Sequence, residues 1–157
     1  RDYRKPLIVF TPKSLLRHPR CISSINDLTE GSFYNIIDDN IEKDNVRKIV
    51  LCSGKIYYEL LEHRENLNNS EIAIIRVEQL YPLDINEIEK VYLKYNKCSL
   101  FWVQEEPKNM GAWSFILSEL RSLDVQIICR EASAATASGS TKDSTYQQEL
   151  IIEEVFK

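Results

Sequence analysis

The chain has 157 residues, with 20 Lys and Arg against 24 Asp and Glu, 43% apolar and 28% charged residues, and only 4 Gly and 5 Pro. That length suits one domain with a real core, and the composition excludes a disordered or fibrous chain. A net charge of -4 without a basic tract removes the electrostatic drive toward nucleic acid, and no apolar run approaches the ~18 to 20 residues that cross a bilayer.

In chain order, the first β-prone run is residues 7–10, predicted to be a strand that leads into Thr11-Pro12-Lys13-Ser14. It follows almost at once on Arg1, with no Met and no secretory leader pattern, as expected of a domain cut from a longer polypeptide. Residues 21–45 carry weaker signals. Ser24 with Asp27 fits the cap of a short helix, 33–37 reads as extended, and 38–45 reads as a polar loop.

Residues 48–52, 72–77, 100–104 and 125–129 are nearly continuous in apolar or β-branched side chains, which predicts strands of a parallel sheet covered on both faces. Between them, 56–68 and 85–95 repeat apolar residues at helical spacing, and Asp84 with Glu87 forms a capping pattern just after Pro82. A third helix is predicted over 112–122 behind Gly111, then an Ala/Ser/Thr-rich loop over 132–141. A last helix is expected to open with the capping pattern of Ser144 and Gln147 and to end near Phe156. The alternation gives an α/β class: an open, mostly parallel five-stranded sheet with helices on both faces, as one domain over 1–157. Cys21, Cys52, Cys98 and Cys129 lack C-x-x-C spacing and are expected to be free thiols in a reducing compartment, mostly buried beside strands.

Each predicted strand ends in a polar, specific turn: Thr11-Pro12-Lys13-Ser14, Ser53-Gly54-Lys55, Glu78-Gln79-Leu80-Tyr81-Pro82, Gln104-Glu105-Glu106-Pro107-Lys108-Asn109, and Arg130-Glu131-Ala132-Ser133. With parallel strands these turns gather on one edge, where open α/β folds place ligands and contacts. Thr11, Lys13, Ser14, Lys55, Gln104 and Arg130 are therefore the candidates for an anion or nucleotide rim, with a plain structural turn at Ser53-Gly54-Lys55 as the alternative. Arg76, Glu78, Glu105 and Trp113 are the candidates for an interface, with ion pairing and core packing as their alternatives. His18 and His63 have no partner at metal-ligand spacing. No catalytic triad, metal cluster or flavin or nicotinamide fingerprint can be assembled from the spacing, so no catalytic or metal residue is assigned.

Arg4-Lys5-Pro6-Leu7-Ile8-Val9-Phe10-Thr11-Pro12-Lys13-Ser14-Leu15-Leu16-Arg17, Cys52-Ser53-Gly54-Lys55-Ile56-Tyr57-Tyr58, Ala73-Ile74-Ile75-Arg76-Val77-Glu78-Gln79-Leu80-Tyr81-Pro82 and Trp102-Val103-Gln104-Glu105-Glu106-Pro107-Lys108-Asn109-Met110-Gly111-Ala112-Trp113 stand in one order. With Arg130-Glu131-Ala132-Ser133-Ala134 they resemble the carboxyl-terminal, transketolase C-terminal-like domain of the decarboxylating component of 2-oxoglutarate dehydrogenase. The resemblance covers essentially the whole chain. It implies a parent enzyme that uses thiamine diphosphate and Mg²⁺ to decarboxylate 2-oxoglutarate and passes the succinyl group to lipoyl-lysine in the citric acid cycle. It implies further a homodimer, contacts with other domains of the same chain and with the dihydrolipoyl succinyltransferase component, and a cytoplasmic (bacterial) or mitochondrial matrix location. Cofactor would lie in the preceding domains, leaving this part structural, inactive alone and with none bound. A regulatory nucleotide or CoA module of the same enzyme is the alternative role, and a 2-oxoadipate-specific relative the alternative parent. Asn26 stands where regulated relatives carry an arginine, and Glu131 follows Arg130 where a second arginine would strengthen a phosphate site, which counts against carrying acetyl-CoA control over to this chain; Tyr146 stands where relatives often have His, so no proton-linked role is carried over there.

Overall fold

The computed structural model describes residues 4–6 and 8–157. The described residues form two units, Arg1–Ser32 and Phe33–Lys157, of which only the second has a core.

In the first unit, a 3-10 turn spans Lys13–Arg17 and a short helix, α1, spans Ile25–Thr29. The expected cap of α1 is present in full: Ser24 Oγ accepts from the Asp27 amide at 3.2 Å, and Asp27 Oδ2 accepts from the Ser24 amide at 2.9 Å. The predicted strand over 7–10 is not there: Ile8–Phe10 lie outside any strand, and Leu7 falls outside the described residues. β-branched and aromatic side chains favour a strand only where a neighbouring strand supplies hydrogen bonds and a surface to pack on, and no described pairing includes these residues.

The second unit carries a five-stranded sheet in the order β1-β3-β2-β4-β5. Its strands are β1 (Ile36–Ile37), β2 (Lys48–Cys52), β3 (Ile72–Val77), β4 (Ser99–Pro107) and β5 (Val125–Arg130). β2 pairs in parallel with β3 and β4, and β4 with β5, whereas β1 runs antiparallel along β3, with Ile36 opposite Val77. The fifth strand is thus the two-residue β1 and not residues 7–10. The loop after β1 closes that edge: Asp39 Oδ2 accepts the Ile74 amide of β3 at 2.7 Å.

Continuous apolar strands are needed because both faces are covered. Ile49 and Leu51 of β2, Ala73 and Ile75 of β3, and Leu100 and Trp102 of β4 pack under α3 (Ile85–Lys94) and α4 (Trp113–Glu119), whose Ile88, Val91, Ile116 and Leu120 are buried. Their alternates Val50, Cys52, Ile72, Ile74 and Val103 face α2 (Ile56–Asn66) and α5 (Thr141–Val155) through Ile56, Leu60, Ile151 and Val155. The period of two sorts each strand between two cores.

Asp84 caps α3 as expected, its Oδ1 accepting from the Glu87 amide at 3.1 Å, and its Oδ2 also accepts from Asn35 Nδ2 at 3.1 Å. α5 starts earlier than the Ser144 and Gln147 pattern indicates. Ser140 is the cap, accepting from the Asp143 amide at 3.3 Å, so the pattern at 144 lies inside the helix. α4 ends at Glu119, short of residue 122.

Candidate functional site

Parallel pairing brings the carboxyl ends of β2, β4 and β5 to one edge. The chain leaves β2 for β3 on one side and later for β4 on the other, so the β2/β4 junction is the topological switch point, where such sheets open a crevice. Gly54, at φ +77°, makes the tight turn from β2 into α2 and leaves Lys55 at that junction.

Lys55 is held by two carboxylates. Its Nζ lies 3.0 Å from Glu105 Oε1 on β4 and bonds Glu59 Oε1 one helical turn along α2. Burial pushes the Lys55 pKa down, but the bonds to Glu59 and Glu105 outweigh it and leave the pKa raised. The network continues across α5: Gln148 Nε2 donates to Glu59 Oε2 at 2.7 Å, and Arg130 Nη2 of β5 donates to Gln148 Oε1 at 3.2 Å. Arg130 Nε is buried without a partner. These groups line an open groove of about 620 Å³ between α2 and α5, which also presents Glu62, His63 and Glu149.

Of the rim candidates, Lys55 and Arg130 meet in this groove. Gln104 does not: it points to the opposite face of β4 and is 4% exposed. Its Oε1 accepts from Trp102 Nε1 at 2.9 Å and from the Trp113 amide at 3.1 Å, while its Nε2 faces the carbonyls of Met110, Pro107 and Glu106 at 2.8 to 3.2 Å. This carboxamide folds the β4 end back over α4. Gly111, at φ +68°, passes so close that a Cβ there would lie 2.9 Å from Gln104 Nε2. Thr11, Lys13 and Ser14 belong to the first unit, where Ser14 lies in the 3-10 turn.

The interface candidates are engaged within the unit. Arg76 Nε donates to Glu78 Oε1 at 2.8 Å, and the guanidinium stands 4.7 Å from the Tyr57 ring and 5.8 Å from that of Tyr58. Glu105 pairs with Lys55, and Trp113 is half-buried against the α3/α4 core. Tyr81, 81% exposed, meets Phe115 at 6.1 Å between ring centroids. His63 stacks near Phe156 at 5.0 Å.

Glu59, Gln148 and Asp39 escaped the sequence reading. The spacing of Lys55 and Glu59 on a helix is a usable signal for an i,i+4 pair. Gln148 and Asp39 reach partners 89 and 35 residues away, and nothing local marks them.

Chemically the groove is an ion network that is acidic on balance. Its donor set does not fit a diphosphate with Mg²⁺: Glu59, Glu62, Glu105 and Glu149 oppose a polyanion, and no group of three or more His, Cys, Asp or Glu among the described residues could hold a metal ion. No reaction step is assigned to it.

Comparison with known proteins decides the family. Residues 22–156 match the family model described as 2-oxoglutarate dehydrogenase C-terminal. The chain belongs to that family. It is 44% identical to the 2-oxoglutarate dehydrogenase E1 component of Rickettsia felis over 98% of the chain and 17% of that protein. It is 42% identical to the E1 component of Azotobacter vinelandii over 99% of the chain and 18% of that protein. With that of Haemophilus influenzae the identity is 40% over 98% of the chain and 17% of that protein. The chain thus spans less than a fifth of the length of these relatives, and the network at the switch point is a feature of an E1 C-terminal domain.

Proposed function

We infer that this chain serves as the carboxyl-terminal structural and assembly domain of a 2-oxoglutarate dehydrogenase E1 component, working as one domain of that longer polypeptide. The parent decarboxylates 2-oxoglutarate and transfers the succinyl group to lipoyl-lysine of the succinyltransferase component, as part of a multienzyme complex in the citric acid cycle. Thiamine diphosphate, when bound with Mg²⁺ in the other domains, supplies the carbanion stabilisation for decarboxylation. The parent works as a homodimer, and its bacterial relatives support a cytoplasmic location.

The observation that carries this reading is the pairing of near-complete coverage of the chain with less than a fifth of each relative. At the switch point, Lys55 is held in ion pairs with Glu59 and Glu105, a structural use of that edge. Calorimetric titration of the 157-residue chain with thiamine diphosphate and Mg²⁺ is expected to give no binding heat. Saturable binding, or turnover of 2-oxoglutarate by this chain, would overturn the division of labour.

A further inference from the structure

Ile8-Val9-Phe10 is a run of β-prone apolar residues that forms no strand and has no strand partner among the described residues. Its side chains are 78, 69 and 95% exposed, an extreme for three adjacent β-prone apolar residues. No described residue from 4 to 32 is buried, so the unit that carries the run has no core to receive it. Two comparisons with relatives add an independent observation. The C-terminal family match begins only at residue 22, while the similarity to whole E1 components takes in 98 to 99% of the chain and so includes residues 8–10. The run therefore falls within the stretch aligned with E1 components but outside the residues that the C-terminal family model matches.

The side chains specify what would receive it. In an extended strand Ile8 and Phe10 point to one face and Val9 to the other, so both faces are apolar, as in a strand buried within a sheet that is covered on both sides. Thr11 ends the run, Pro12 has no N–H for a ladder, and the chain turns into Lys13–Arg17. A short two-sided apolar strand with a hard stop is a donor for the open edge of an α/β sheet, not a surface segment.

We propose that Ile8–Phe10 is a strand of a second sheet, paired through its backbone with an edge strand of another domain of the full-length E1 polypeptide, where its side chains are buried on both faces. This rests on the reading of the chain as part of an E1 component. The run then ties the C-terminal domain to its neighbour by main-chain hydrogen bonds as well as by the peptide link.

Hydrogen exchange read by mass spectrometry tests it in the full-length polypeptide and in the 157-residue chain. Amides of residues 8–11 are expected to exchange at least 100-fold more slowly in the full-length protein. Exchange within threefold of the short chain would overturn the proposal. Val9→Pro provides a second arm, since it breaks a ladder without adding charge. It is expected to lower the Tm of the full-length protein and leave that of the short chain unchanged. A lowered Tm in the short chain, or no change in the full-length one, would overturn the assignment. Assay of the same full-length protein for 2-oxoglutarate oxidation separates the two ideas: an inactive but protected protein removes the E1 reading alone, and an active but unprotected one removes the strand alone.

Discussion

Gln104 Oε1 lies 2.9 Å from Trp102 Nε1, two residues back on the same face of β4, so one buried carboxamide joins the core indole to the turn that launches α4. Replacing Gln104 with Leu keeps the volume but takes this partner from the Trp102 and Trp113 N–H groups and from the Met110 carbonyl. Buried groups stranded in this way cost about 1 to 3 kcal/mol each, and a net loss of about 3 kcal/mol is expected for Gln104→Leu. Urea unfolding at an unchanged m value measures it; a loss under about 1 kcal/mol would mean that the turn does not depend on this amide.

Gly111 is the companion of Gln104. At φ +68°, with only 3.0 Å from its would-be Cβ to Glu106 Cβ, Gly111→Ala combines left-handed backbone strain with a close contact. A destabilisation of about 1 to 3 kcal/mol is expected. By contrast Gly139→Ala, where a Cβ would meet nothing within 4 Å, is expected to be neutral or slightly stabilising. Paired unfolding curves of the two variants check the contrast.

Much of the second unit was legible in the sequence, for an identifiable reason. β2 and β3 occupy the predicted residues 48–52 and 72–77, because strands buried on both faces are written as unbroken apolar runs. Asp84 and Ser24 act as caps because capping is local chemistry. Residues 7–10 carry the same apolar signature, and the described residues 8–10 form no strand here, since a run records the demand for a partner and not where the partner is. β1, two residues long, and the Ser140 cap of α5 were hidden in polar stretches whose roles come from tertiary contacts. The groove was half visible: strand ends foretold Lys55 and Arg130 on one edge, but the neutralising Glu59 and the bridging Gln148 come from other elements.

The Asp39 and Arg64 pair seals the outer side of β3. Their side chains are only 8 and 13% exposed; Arg64 bonds both Asp39 oxygens and also donates to the Ile72 carbonyl at 3.1 Å. Removing one partner strands a buried charge, so Arg64→Ala or Asp39→Ala is expected to cost about 3 to 5 kcal/mol. The double variant is expected to lose less than the sum of the two. A double-mutant cycle measures this, and strict additivity would show that the ions do not act together.

Cys52 makes stability depend on alkali. Burial pushes its thiol from 9.0 up to about 12, against a smaller lowering effect of Arg76. The folded state holds the proton more tightly than the unfolded one, so the contribution is fully present below pH 9 and is lost as pH rises toward about 12. The loss amounts to roughly 1.4 kcal/mol per pH unit across that window. Cys52→Ala is expected to remove this part of the alkaline slope, which unfolding free energies between pH 8 and pH 10.5 would register. The same window predicts that Cys21, which is exposed, reacts with a thiol reagent at pH 8 while Cys52 does not until the unit unfolds.

The most direct measurement is a domain exchange: the carboxyl-terminal segment of the Rickettsia felis E1 component replaced by this chain, then assayed with thiamine diphosphate, Mg²⁺ and 2-oxoglutarate. On the proposed division of labour, in which the reacting groups lie in the other domains, a chimera that folds and decarboxylates 2-oxoglutarate within about tenfold of its parent is expected. A well-folded chimera that binds the cofactor yet has no activity toward 2-oxoglutarate would contradict the account.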